Sequence, residues 1–470
     1  MNCLVIIAAA SSLLILSGCG QVIAGLGGAV GGGGGGNVDF SETFAPTEFA
    51  ATPNSTTQIN LTWSDESSGS ASVVIERSTD GTTYSTLATP SISDESYSDT
   101  GLSSGTIYYY RLTATLLGAS AEEVASATVA SDATWTRLTN SPPNSTGTMF
   151  LLSDGTVLAQ RSGCSKAWYK LTPDSSGSYL NGTWTTLSSM GLERLYYGSN
   201  MLPDGRLFLI GGEYTTGCAM TWTSTGEMYD PVANTWSDIA DNPEPELGDI
   251  PTHILPNGNI LVGDIDSAST AIYDVNSDSW SDAGTKLNND RSNEENWVKL
   301  ADDSILSYNI FGSARRAQRY VPSLDQWFDA GLCPVTLHNN LSELGAGMLM
   351  HNGKVLYIGA TPYTGLYTPP TTLTGTGSWV AGPEIPDSLG ANDAPAAILP
   401  NGHVILAAGN STSFNPPTEL FDYDPTANTM AEISTPALMS LSALIAYMTR
   451  MLILPSGEML FSNGFTLWIY

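Results

Sequence analysis

Four carboxylates recur at one place in a repeating sequence. Asp249, Glu294, Glu343 and Asp393 each stand nine or ten positions ahead of the end of a turn, at Asn257-Gly258, Asp302-Asp303, Asn352-Gly353 and Asn401-Gly402 respectively. Glu295 adjoins the second of them, and the corresponding stretches of other repeats hold Arg194, Tyr196, Tyr447 and Arg450. Acids mixed with aromatic and guanidinium groups suit two jobs: ligation of a cation such as Ca²⁺ through oxygen, and recognition of the hydroxyls and ring of a sugar. An acid/base pair of the glycosidase kind would use the same residue types, because such pairs are assembled in space rather than in sequence. With 46 Asp+Glu in the chain, a solvated or capping role for these acids is the plainer expectation. Other chemistry finds little support. There is no His-Glu-x-x-His, no phosphate-binding glycine loop and no Gly-x-Ser-x-Gly elbow.

The elements that must position these acids belong to a repeat of roughly 50 residues. Each unit begins with an apolar strand that runs into a turn, as at Leu202-Pro203-Asp204-Gly205, Leu255-Pro256-Asn257-Gly258, Leu399-Pro400-Asn401-Gly402 and Leu454-Pro455-Ser456-Gly457. Looser forms occur at Ser153-Asp154-Gly155, Asp302-Asp303 and Asn352-Gly353. Asn-Gly and Asp-Gly accept positive φ and so close tight hairpins. A second apolar strand follows, for example Leu207-Phe208-Leu209-Ile210 before Gly211-Gly212. The third strand carries a tyrosine, at Tyr169, Tyr229, Tyr273, Tyr320, Tyr367, Tyr423 and Tyr470. The fourth carries Trp184, Trp236, Trp280, Trp327, Trp379 or, in their place, Met430. Seven tyrosines are thus followed by six outer strands. Trp135-Thr136-Arg137-Leu138 has the form of the missing one and matches Trp184-Thr185-Thr186-Leu187. It is expected to complete the last unit and so to close a ring, which removes two free sheet edges.

The Leu-Pro-Asp/Asn-Gly turns, the Tyr-Asp-Pro strands and the Gly211-Gly212 pair make residues 135–470 resemble kelch repeats, and more narrowly their galactose-oxidase-like branch. That resemblance implies a seven-bladed β-propeller with each Tyr and Trp packed between blades and the recurring acids at the mouth of the central channel. Enzymes of the branch hold copper through two tyrosines and two histidines, one tyrosine being cross-linked to cysteine. Here His253, His338, His351 and His403 are scattered over different repeats and none follows a tyrosine, so no copper radical oxidase is expected. Residues 45–134 resemble a fibronectin type III domain. Trp63 stands where that family places its core tryptophan, and Leu102, Gly105, Tyr108, Tyr110 and Arg111 match its tyrosine-corner strand. The fold class expected for the whole is all-β, a fibronectin type III sandwich followed by a seven-bladed kelch-type propeller.

The remaining residues speak to location. The apolar run from Leu4 to Leu16 has the length of a signal-peptide core, although no Lys or Arg precedes it. Leu16-Ser17-Gly18-Cys19 resembles the bacterial lipobox, which implies a signal peptide over 1–18, lipidation at Cys19 and, with Gly20 next, an outer-membrane destination. Residues 19–44 are rich in glycine and read as a tether with a reach of about 25–30 Å. A surplus of 46 acids over 16 bases gives a net charge of -30, which repels nucleic acid and leaves no basic patch for anionic lipid. Cys164 and Cys218 fall in corresponding loops of adjacent repeats, where export would permit a disulfide, while Cys333 is expected to stay unpaired. Together these features point to a lipid-anchored surface protein that binds a polysaccharide or protein ligand. A lyase or hydrolase acting through the channel-mouth acids is the alternative.

Overall fold

The computed structural model describes residues 44–55, 58–103, 106–128, 134–311 and 315–470. The signal sequence, Cys19, nearly all of the glycine tether and Gly105 lie outside them. The described chain separates into two compact units.

The first unit is a sandwich of two antiparallel sheets. One holds the strands Thr47–Ser55, Gln58–Ser64 and Ser96–Thr100, and the other Ser85–Ala88, Ser72–Ser78, Ile107–Leu116 and Ala119–Thr128. Strict alternation turns Ile59, Leu61 and Trp63 from one sheet, and Val73, Ile75, Tyr110 and Leu112 from the other, into a common core. Buried polar groups find partners there. The Trp63 indole donates to the Ile92 carbonyl at 2.8 Å, and the Tyr110 hydroxyl donates at 2.8 Å to Asp99, which also pairs with Arg77 at 2.9 Å.

The second unit is a seven-bladed β-propeller. Each blade is built on four antiparallel strands, in chain order in all but the last, and the inner strands begin at Thr146, Gly198, Thr252, Trp297, Gly347, Ala396 and Arg450; the sixth blade adds the short strand Leu389–Gly390. These starts define blades 1 to 7. The inner hairpins share one device. The residue that ends each turn has a left-handed backbone: Gly155, Gly205, Gly258, Gly353, Gly402 and Gly457 at φ between 77° and 90°, and in blade 4 Asp303 at 66°. Asp tolerates that region better than most side chains, so the blade without a glycine still turns.

The expected tyrosine–tryptophan pairing holds in most blades. Tyr229 faces Trp236, Tyr273 faces Trp280, Tyr320 faces Trp327, Tyr367 faces Trp379 and Tyr423 faces Met430. Four of these tyrosines bond through their hydroxyls to an Asn or Asp five residues on: Asn234, Asp278, Asp325 and Asn428. The tryptophans tie neighbouring blades, as when Trp236 donates to the Ser188 carbonyl at 3.0 Å and Trp280 to that of Ala240 at 2.8 Å. Blade 1 corrects the sequence assignment. Leu171, not Tyr169, stands opposite Trp184, and Tyr169 accepts a hydrogen bond from Asn144 instead.

The ring closes as the repeat count requires. Thr136–Arg137 pairs with Leu467–Ile469 as the outer strand of blade 7, and the rings of Trp135 and Tyr470 lie 4.3 Å apart. On the inner side, Thr146 of blade 1 bonds through its hydroxyl to Ser462 of blade 7 at 2.7 Å and through its amide to the Gly464 carbonyl at 2.8 Å.

Candidate functional site

In an antiparallel blade the loop that enters the inner strand and the loop that leaves the second strand open on the same face. Both sets of loops therefore surround one end of the channel, where a cavity of about 670 Å³ opens. The entering loops deliver Tyr196 from blade 2, Asp249 from blade 3, Glu294 from blade 4, Glu343 from blade 5, Asp393 from blade 6, and Tyr447 with Arg450 from blade 7, and all of them line the cavity. Tyr196, Glu294 and Asp393, each nine positions before the turn residue of its blade, adopt left-handed backbone with φ of 53°, 57° and 48°. Such a conformation costs roughly 1–3 kcal/mol per residue and persists where the surroundings impose it. Main-chain bonds join the acid-bearing loops in pairs: the Glu294 amide donates to the Asp249 carbonyl, and the Asp393 amide to the Leu344 carbonyl, both at 3.3 Å.

Two residues placed at the mouth by sequence counting sit differently. Arg194 lies behind the cavity wall with 1% exposure, held by Glu227 at 3.4 Å and donating to the carbonyls of Gly211 and Thr225 at 2.7 and 2.8 Å. It fastens the loop that carries Tyr196. Glu295 touches the cavity, but its Oε2 is committed to Lys286 at 2.5 Å, the Trp297 indole at 3.1 Å and the Ser307 hydroxyl at 3.0 Å. Lys286 also pairs with Asp290 at 2.9 Å, so these three charges form a buried network under the rim.

Counting from the turns misses Glu213 and Tyr214, which reach the cavity from the loop after the second strand of blade 2. Their signal is the double glycine before them. Gly211 is left-handed at φ 74°, and a Cβ there would stand 2.6 Å from the Leu247 carbonyl oxygen, so only glycine lets the chain turn inward at that point. The short hairpin that follows, Tyr214–Thr215 against Ala219–Met220, is tied to blade 1 by the Cys164–Cys218 disulfide, with Cα atoms 5.4 Å apart. Cys333 is free and buried. A disulfide of this kind belongs to a chain that matures in an oxidising compartment, as exported proteins do.

The lining divides by chemistry around the ring. Asp249, Glu294, Glu343 and Asp393 follow one another over blades 3 to 6, and carboxyl oxygens of Glu294, Glu343 and Asp393 all lie within 4.8 Å of one another. The flanking arc is aromatic. Tyr196 and Tyr214 meet nearly edge to face at 5.9 Å, as do Phe414 and Tyr447 at 5.4 Å. Burial raises the proton affinity of every acid in the cluster. Asp249 is pushed up to about 7 by desolvation and by the charges of Asp393 and Glu213. Glu294 is pushed up by desolvation, then by Asp249 and Asp393. Desolvation also dominates the upward displacement of Asp393, Glu343 and Glu213. Several carboxyls this close cannot all ionise without a counter-charge.

Residues 199–243 match the Kelch motif. No curated protein matches the chain. Among solved structures it is similar to a fungal alcohol oxidase of the AA5 family in complex with copper, at 14% identity over 91% of this chain and 76% of that one, with a TM-score of 0.38. It is also similar to the extracellular domain of a proposed one-component system from B. thetaiotaomicron, at 12% identity over 72% of this chain and 40% of that one, with a TM-score of 0.47. An Fn3-like protein from Clostridium thermocellum is 37% identical over 18% of this chain and 92% of its own, with a TM-score of 0.16. The described residues lining the cavity include neither His nor Cys, so the donor set of a copper radical site is not assembled there.

Proposed function

We propose that this chain is an exported binding protein whose propeller recognises a carbohydrate in the channel-mouth cavity. Lipidation at Cys19, the glycine tether and the sandwich would hold the propeller away from a membrane. One observation carries the reading: aromatic faces and carboxyl groups line one cavity of about 670 Å³, and loops from six blades present them. Sugars have just these two needs. Their C–H faces stack on aromatic rings, and their hydroxyls donate to carboxylates. The acids with raised proton affinity favour a second reading, in which one carboxyl donates a proton to a glycosidic oxygen while a neighbour acts as base or nucleophile. A glycan array probed with the purified chain, followed by product analysis on every glycan bound, tests both. Binding that survives incubation without new reducing or unsaturated ends supports recognition. Products that vanish in Glu294→Gln or Asp393→Asn support catalysis, and an array without any binding overturns the carbohydrate reading altogether.

A further inference from the structure

The charge balance of the cavity narrows its ligand. Glu213, Asp249, Glu294, Glu343 and Asp393 all face it, whereas Arg450 is the one cationic side chain among the described lining residues. That guanidinium is already engaged, its Nη1 donating to the Thr449 carbonyl at 2.7 Å and to the Tyr447 carbonyl. It does not offset five acids. The remaining titratable groups among the described lining residues are Glu295, committed to Lys286, and the phenols of Tyr196, Tyr197, Tyr214 and Tyr447, none of which supplies a positive charge. The buried Oε2 of Glu343 meets no protein donor. In the empty cavity the acids must therefore share protons. A positive ligand removes that need, since each carboxyl it approaches can ionise and accept a charge-assisted hydrogen bond from it.

The aromatic arc says what kind of cation this is. A hard metal ion seeks six to eight oxygen ligands, and ring faces provide none. The same faces attract an organic cation and stack on a sugar ring. We infer that the sugar recognised here carries an amine, with its ring laid on Tyr196, Tyr214, Phe414 and Tyr447 and its ammonium placed among Glu294, Glu343 and Asp393. This rests on the carbohydrate reading above and adds the charge of the ligand to it.

Calorimetric titration of the full chain near neutral pH with a glucosamine trisaccharide, its fully N-acetylated counterpart and CaCl2 tests the inference. The amine form should bind about 10- to 100-fold more tightly than the acetylated form. The double variant Glu294→Gln, Asp393→Asn should lose that preference, its affinity falling at least about tenfold further for the amine form than for the acetylated form. Titration of the unaltered protein in two buffers of different ionisation enthalpy gives a readout free of folding defects, and it should show proton release when the amine binds. Equal affinity for the two trisaccharides overturns the inference and leaves the carbohydrate reading standing. Saturable CaCl2 binding that excludes the amine form also overturns it, by assigning the acids to a metal ion. If neither sugar binds, both readings fall.

Discussion

Asp249→Asn tests the electrostatics of the cavity without any ligand. The Asp249 carboxyl is moved from its ordinary value of 3.8 to about 7, first by desolvation and then by Asp393 and Glu213. A group that holds its proton more tightly in the folded state than in the unfolded one stabilises the fold at low pH. It withdraws that stability as pH rises from the unfolded value towards the folded one. Each tenfold change in proton affinity is worth about 1.4 kcal/mol, so the full displacement corresponds to about 4 kcal/mol. Asp249 is partly exposed and shares its protons with Glu294, which leaves about 2 kcal/mol as the working figure. The unaltered protein should lose about this much stability between about pH 4 and pH 7. The variant, neutral throughout, should show a shallower slope and be more stable at the upper end. Urea unfolding at a series of pH values, followed by tryptophan fluorescence, measures both slopes. Parallel slopes, or a variant that is less stable than its parent at pH 7, would refute the argument that desolvation and repulsion among the clustered acids govern this site.

Other residues make sharper structural tests. Arg194→Ala should destabilise the propeller by about 3 kcal/mol in thermal unfolding, because it takes the cation from the buried Glu227 carboxylate, which keeps only the amides of Gly191 and Leu192 as donors. Cys164→Ser should cost about 2–4 kcal/mol, and non-reduced peptide maps should show a linked 164–218 fragment in the parent and none in the variant. Trp135→Ala removes the ring contacts with Phe461 and Tyr470 and the bond to the Ser434 carbonyl, and should cost about 2 kcal/mol. Hydrogen exchange in that variant should quicken first in Leu467–Ile469. Gly211→Ala should weaken ligand binding and stability together, since its Cβ collides with the Leu247 backbone that turns Glu213 inward.

The propeller was legible because its signals repeat in the backbone. Turns that need left-handed residues, and a tyrosine on the third strand with a tryptophan on the fourth, recur from unit to unit, so even the pairing of Trp135 with Tyr470 could be counted. The count failed where spacing stretched. In blade 1 fifteen positions separate Tyr169 from Trp184, against seven for Tyr229 and Trp236, and Leu171 takes the tyrosine's place. For the site, register located Asp249, Glu294, Glu343 and Asp393, which line one cavity. It could not say which way neighbouring side chains point. Arg194, two positions before the left-handed turn at Tyr196, ends up behind the wall, and Glu295 turns towards Lys286 while Glu294 faces the cavity. Glu213 and Tyr214 escaped because they ride on a different set of loops, announced only by the glycines before them.

The seam of the ring also dictates when the molecule can become itself. Thr146 and Ser462 are partners across 316 positions of sequence, and Thr136–Arg137 must reach Leu467–Ile469, so the last sheet waits until both ends of the propeller are at hand. Until then blade 7 exposes the unpaired edge of Leu467–Ile469, which invites union with another copy. For an exported chain, this makes the interval before closure the period of greatest vulnerability.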